Sequence, residues 1–259
     1  MLEICQLCGG YGRKEVLKNI NAAFSHGTIT SVIGRNGCGK STLLQMCCGL
    51  LKPASGRILL DGRDISEMKH IELARKVSYM EQVHTVGNIT VRSLVSHGRF
   101  PYLGYPRRLT EYDRHIVEDS MRRAGIYDFA ESSIAELSGG QQQRAYIAML
   151  LAQDADVLLL DEPSTYLDIS SQLELMRIAA ELKLSGKTVI MVLHDLNMAL
   201  SYSDITIVMK DGGVIAALPP AEAAERGLIQ EALGVSVFYD EKTGHYFFGK
   251  DEIHEKSNT

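Results

Sequence analysis

Two patterns of apolar and polar positions alternate along the chain. Residues 28–33 (TITSVI) are a β-branched run that reads as a strand, and they lead into a glycine-rich stretch at 34–39. The spacing over 40–51 predicts a helix. Residues 57–60 read as a strand entering a hairpin turn at Asp61-Gly62. From about 88 to 155 the strand pattern gives way to polar helical patterns, with Arg107-Arg108, Arg122-Arg123 and a break at Gly139-Gly140. Alternation then returns. An apolar strand over 157–160 ends in Asp161-Glu162, and a helix follows over 170–184. A second strand over 188–193 ends in His194-Asp195, and 205–209 and 214–218 form a hairpin around Lys210-Asp211-Gly212-Gly213. Strands alternating with helices imply an α/β fold, a mostly parallel sheet with helices on both faces. Pro219-Pro220 marks a boundary, so residues 1–220 are expected as one domain, with a helical subdomain at about 88–155, and 221–259 as a short C-terminal tail. No internal repeat is visible.

Composition narrows the class. The chain has 259 residues, 45% of them hydrophobic and 23% charged, with a net charge of −5, which excludes collagen-like and disordered chains. The acidic balance argues against nucleic acid as a partner. The longest apolar run, 145–152, is eight residues, far short of the ~20 of a membrane-spanning helix. The N-terminus lacks the basic and apolar regions of a signal peptide. Five cysteines, two of them adjacent, suit a reducing compartment and make no disulfide framework. Cys5 and Cys8 have the spacing of half a zinc site. No second Cys or His pair follows at zinc-site spacing, and both lie in a strand-like stretch, so they read as two half-buried thiols.

Residues 34–41 (GRNGCGKS) fit G-x-x-x-x-G-K-[ST], with a strand pattern before and a helix pattern after. Gly34, Gly37 and Gly39 let the backbone turn successive N–H groups inward, towards phosphate oxygens. The following helix N-terminus adds the positive end of its dipole. Lys40 is placed to reach the β- and γ-phosphates and Ser41 to ligate Mg²⁺, while Arg35, Asn36, Cys38 and Thr42 complete the nucleotide-contacting stretch. A strand ending in Asp161-Glu162 delivers two carboxylates to the sheet edge where ligands bind in such folds. Asp161 is the candidate metal holder, and Glu162 the candidate to orient or deprotonate the attacking water. Ser138, Gly139, Gly140 and Gln141, opening a helical run, make a second phosphate-facing helix N-terminus.

With these motifs the sequence resembles the ATP-binding cassette family, the ATPase subunits of ABC transporters, over nearly its whole length and in family order. Lys40 and Ser41 match the Walker A motif, Gln82 the Q-loop, 137–141 the signature, 158–162 the Walker B motif, 164–168 the D-loop and His194 the switch histidine. Tyr11 stands where the family places an aromatic that stacks on adenine, although any strand-end tyrosine looks the same. The resemblance implies ATP and Mg²⁺ as cofactors and a P-loop core with an antiparallel β subdomain and an α-helical subdomain. It also implies a homodimer in which Ser138, Gly139, Gly140, Gln141 and Asp168 of one chain complete the ATP site of the other. Glu162, His194 and Gln82 are its catalytic residues, and Ser41, Gln82 and Asp161 its metal ligands.

Residues 165–169, 194–197 and 98–101 are similar to the subfamily that imports iron-siderophores, haem and cobalamin. That implies membrane permease subunits as partners, an extracytoplasmic binding protein acting indirectly, and a peripheral location on the cytoplasmic face of the inner membrane. Between 92 and 123 there are seven Arg against four acids, a surplus suited to lipid headgroups or a permease loop, or simply a solvated face. Beside Lys40 and a helix N-terminus, Cys38 is expected to have a depressed thiol pKa and to be reactive. The rival reading is a soluble, non-transport ABC ATPase acting in assembly or repair. The insertions or tandem cassettes such proteins often carry are not visible in the sequence. A regulatory nucleotide binder without turnover is less compatible with an intact Glu162 and His194.

Overall fold

In a computed structural model, which describes residues 1–12, 14–81, 88–165, 167–240 and 242–250, β1 (Leu2–Tyr11) and β2 (Lys14–Phe24) form an antiparallel pair. β3 (Ile29–Gly34) follows, buried almost throughout, then α1 (Lys40–Cys47). The helix expected to reach residue 51 stops earlier because Gly49 adopts φ 75°, and Gly49 and Leu50 turn their N–H groups back onto the Met46 and Gln45 carbonyls. β4 (Ser55–Leu60) turns through Asp61-Gly62 into the short β5 (Arg63–Asp64), followed by α2 (His70–Lys76) and β6 (Val77–Met80). The helical segment contains α3 (Val91–His97), α4 (Glu111–Arg123) and α5 (Gly139–Gln153). Alternation resumes with β7 (Val157–Asp161), α6 (Ile169–Leu184), β8 (Thr188–Val192), α7 (Leu196–Tyr202), β9 (Ile205–Lys210) and β10 (Gly213–Leu218).

The strands form a four-stranded antiparallel sheet, β2-β1-β4-β5, and a six-stranded sheet, β10-β9-β3-β8-β7-β6, parallel except for β10 at its edge. The unbroken apolar runs have a direct cause. In β7, Leu158 and Leu160 enter one core while Val157 and Leu159 enter the other; in β8, Val189 and Met191 oppose Ile190 and Val192. A strand covered on both faces has no position to leave polar. One core joins the large sheet to the helical segment, and the other joins it to α1 and the antiparallel sheet.

The helical segment is fastened by polar anchors as well as apolar contact. Arg99 and Asp113 form a buried ion pair at 2.9 Å, and Arg99 also donates to the Ala152 carbonyl of α5 at 3.0 Å. Asp113 meanwhile closes a capping box with Thr110 at the start of α4. Part of the arginine surplus is therefore neutralised internally: Arg99 by Asp113, and Arg92 by Glu131 and Glu118. Arg107 and Arg108 are exposed.

Beyond Pro219 the chain continues as α8 (Pro220–Glu225), α9 (Leu228–Leu233) and a hairpin of β11 (Val235–Asp240) with β12 (His245–Lys250). Ala223, Ile229, Ala232 and Val237 are buried in the same core as β7 and β8, so residues 220–250 pack onto the parallel sheet. Pro219-Pro220, read as a boundary, opens a helix at the position where a missing N–H costs least.

Candidate active site

β3, β7 and β8 are neighbours, and their carboxyl ends bring the glycine-rich loop, Asp161-Glu162 and His194 to one edge of the sheet. A cavity of about 430 Å³ there is lined by Tyr11, Lys14, Val16, Asn36, Gly37, Gly39, Lys40, Ser41, Thr42, Glu162 and His194. The loop needs its glycines. Gly39 has φ 106°, and a side chain there would meet Leu17 at 2.6 Å; Gly34 would collide with the Met209 carbonyl at 2.5 Å. Gly39 also opens α1, whose first residues Lys40 and Thr42 are buried beneath the loop. Lys40 Nζ donates to the Gly34 and Arg35 carbonyls at 2.8 and 3.2 Å, which holds the ammonium inside the curve of the loop. Arg35 and Asn36 are exposed, and Asn36 lines the cavity.

Asp161 is 2% exposed. Burial, reinforced by the Glu162 charge, raises its pKa; hydrogen bonds from Ser41 and Tyr79 and the charge of Lys40 oppose the shift. Tyr79 donates to Oδ2 at 3.4 Å, while Oδ1 is buried without a hydrogen-bond partner. A buried, half-satisfied carboxylate beside the Ser41 hydroxyl fits a hard cation with oxygen ligands such as Mg²⁺.

Glu162 stands next in the chain at φ 54°, a left-handed conformation that costs a residue with a side chain about 1–3 kcal/mol. Its N–H donates to the Val192 carbonyl at 3.1 Å. Its carboxylate lies 2.5 Å from His194 Nε2, and it is itself nearly buried while the imidazole is half exposed. This is a carboxylate held at the cavity wall by a ring that itself reaches solvent. Tyr11 lies at the rim, half exposed, with its hydroxyl donating to Gln45 Oε1 at 2.6 Å.

Ser138, Gly139, Gly140 and Gln141 do not line this cavity. They form an exposed N-terminus of α5, where Ser138 Oγ accepts from the Gln141 N–H and Gln141 Oε1 accepts from the Ser138 N–H. Asp168 caps α6, accepting the Ser171 N–H at 2.7 Å, and that hydrogen bond lowers its pKa. Gln82 lies outside the described residues. Lys14, Val16, Gln45 and Tyr79 escaped the sequence reading. Lys14 was findable as the partner of Tyr11 across the strand pair, and Gln45 by its spacing of four from Ser41 on α1; Tyr79 carries no sequence signal.

Cys38 differs from expectation. It is 7% exposed, with its sulfur packed against Gly34. Burial raises its thiol pKa, outweighing the lowering by Lys40 and the loop N–H groups. Iodoacetamide at neutral pH should therefore label Cys38 roughly tenfold more slowly in the folded than in the unfolded protein, read by peptide mass mapping. Faster labelling in the folded protein would restore the depressed thiol, and equal rates would contradict the shielding. Cys5 and Cys8 are half-buried along β1, and the Cys8 sulfur accepts the Asn19 N–H.

A family model described as "ABC transporter" matches residues 17–165. Petrobactin import ATP-binding protein FpuD of Bacillus anthracis is 40% identical over 232 residues, covering 89% of this chain and 85% of the relative. Ferric enterobactin transport ATP-binding protein FepC of Escherichia coli (strain K12) is 41% identical over 232 residues, covering 89% and 86%. Among solved structures, the dimeric form of MJ0796, a bacterial ABC transporter cassette, superposes with a TM-score of 0.77 at 29% identity, covering 85% of this chain and 99% of that one.

Proposed function

The chain belongs to the ABC transporter family, and on that premise we propose that it is the ATP-hydrolysing subunit of an importer that takes up an iron chelate through a membrane permease. The observation that carries the reading is the single cavity joining Lys40, Ser41, Glu162 and His194, with Asp161 behind it. The names of the siderophore-import relatives support the choice of cargo.

In this reading the loop N–H groups and Lys40 bind the β- and γ-phosphates, and Tyr11 stacks on adenine. Ser41, Asp161 and Gln82 would hold Mg²⁺, which supplies charge neutralisation for the transferred phosphoryl group. Glu162 orients a water in line with the γ-phosphorus and takes its proton as the new P–O bond forms and the bond to ADP breaks. His194, against the Glu162 carboxylate, keeps it aimed. Ser138, Gly139, Gly140, Gln141 and the D-loop around Asp168 act on the γ-phosphate of a second copy, so that two chains form two composite sites. Their position outside the chain's own cavity supports this. Closure then excludes water and surrounds the phosphate with fixed dipoles.

Lys40→Ala should weaken ATP binding about ten- to a hundredfold, since a charge-assisted contact is worth ~1.5–3 kcal/mol. Calorimetric titration reads this, and unchanged affinity would remove the loop as the phosphate site. No helix among the described residues is long and apolar enough to cross a membrane. In this reading the protein is peripheral at the inner face, a placement supported by its likeness to import ATP-binding proteins. The permease docks on the helical segment and is fed by an extracytoplasmic binding protein. Apolar side chains exposed near the junction support this docking face: Ile71 on α2, and Phe100 on a turn fastened to α2 by the Arg75 to Pro101 hydrogen bond. Cysteines placed between residues 88 and 110 should cross-link to a co-expressed permease. Links confined to residues beyond 220 would overturn the assignment.

A further inference from the structure

The segment between Glu162 and α6 is gripped from one side by α5. Gln143, one turn in from the exposed end of that helix, is 4% exposed and donates from Nε2 to the Pro163 carbonyl at 2.8 Å. Its neighbour Arg144 donates from Nη2 to Ser171 Oγ at 2.6 Å. Adjacent helix residues point ~100° apart, so one side chain reaches the start of this segment and the other reaches the first turn of α6, into which the segment runs. The segment is also braced from within: Gln172 donates to the Leu167 carbonyl at 3.1 Å, and Asp168 accepts the Ser171 N–H at 2.7 Å.

Pro163 directly follows Glu162, and Glu162 is the strained residue. A left-handed glutamate stays in place only where its surroundings over-determine it. Its N–H is fixed by Val192, its carbonyl accepts from Thr165 at 3.2 Å, and the next peptide is held by Gln143. A displacement of α5 thus reaches the Glu162 carboxylate through one hydrogen bond and one peptide unit.

We propose that Gln143 and Arg144 are positioning residues, a two-point clamp that makes the Ser138–Gln141 end of α5 and the chain's own Glu162 loop move as one body. Seating that end on a second copy's nucleotide then sets Glu162 over the chain's own nucleotide, and the two sites turn over cooperatively. The inference rests on the split-site reading given above.

Gln143→Met keeps side-chain length and apolar packing but deletes the donor, leaving the Pro163 carbonyl unpaired. The full chain is assayed for steady-state hydrolysis across ATP concentration with Mg²⁺, and for ATP binding by the dilute monomer. In the unaltered protein the Hill coefficient should rise towards about two, the number of coupled sites. In Gln143→Met, kcat should fall about tenfold, monomer affinity should stay within about twofold, and the Hill coefficient should drop towards one. Ser171→Ala cuts the second arm from the α6 side. It should lower the Hill coefficient too, with a smaller loss of kcat, and it keeps the test open if Gln143→Met does not fold. An unchanged Hill coefficient in a folded variant overturns the clamp, whatever happens to kcat. A Hill coefficient of one in the unaltered protein strikes the split-site reading itself, and the clamp with it.

Discussion

Glu162→Gln is expected to bind ATP with unchanged affinity and to hydrolyse it ~10²–10⁴ times more slowly, the usual consequence of losing a general base. The substitution changes little else. The amide has the size of the carboxylate, can still hydrogen-bond a water, and can keep its contact with His194, which lies 2.5 Å from the native side chain. What it loses is the ability to take the water's proton. It also removes a negative charge from the cavity wall, where the γ-phosphate brings more of the same sign, so closure around ATP becomes easier. Single-turnover measurement of phosphate release reads the effect. Release at the unmutated rate would take Glu162 out of the reaction.

Ser138→Arg is expected to lower turnover by at least ~10², by removing the composite site's oriented donors and blocking closure, while the isolated chain binds ATP as before. The separation follows from geometry. Ser138 heads α5, exposed and away from the cavity that holds Lys40, so a bulky cation there leaves the chain's own phosphate loop untouched. The substitution also removes a helix cap, worth ~0.5–2 kcal/mol, which a thermal melt would register separately. Equal loss of monomer binding and of turnover would contradict a site shared between chains.

The parallel sheet was legible because β7 and β8, buried on both faces, leave apolar runs with polar ends, and because β3, with Thr30 and Ser31 buried in its middle, is a β-branched stretch that stops at a glycine. The same burial carried the site, since Gly34, Asp161 and His194 stand where those runs stop. β2 was not legible. Its fully buried residues, Leu17, Ile20 and Phe24, are three and four apart, a helical interval, because the β1–β2 ladder shifts register and Asn19 sits at φ 49°. β6 is only four residues long and offers too little pattern. The C-terminal hairpin places Phe238 opposite Phe247 on an exposed face, so apolar residues occur on both sides and the period of two is lost. Cys38 was misjudged because its neighbours in sequence, Lys40 and a helix start, lower a thiol pKa, whereas packing against Gly34, invisible in the sequence, raises it further. Gln143 and Arg144 directly extend the 137–141 motif in the sequence, but only the folded chain brings them to Pro163 and Ser171.

In the proposed mechanism one chain holds half of each catalytic site. Size-exclusion chromatography of Glu162→Gln with ATP and Mg²⁺, with bound nucleotide counted in the eluted species, decides this. The expected species is a two-fold dimer carrying about two ATP per two chains, because each chain supplies one phosphate loop and one α5 terminus. Adding Ser138→Arg to the same chain should return it to an ATP-loaded monomer. A Glu162→Gln protein that stays monomeric in ATP, or a dimer that survives Ser138→Arg with both nucleotides in place, would contradict the account.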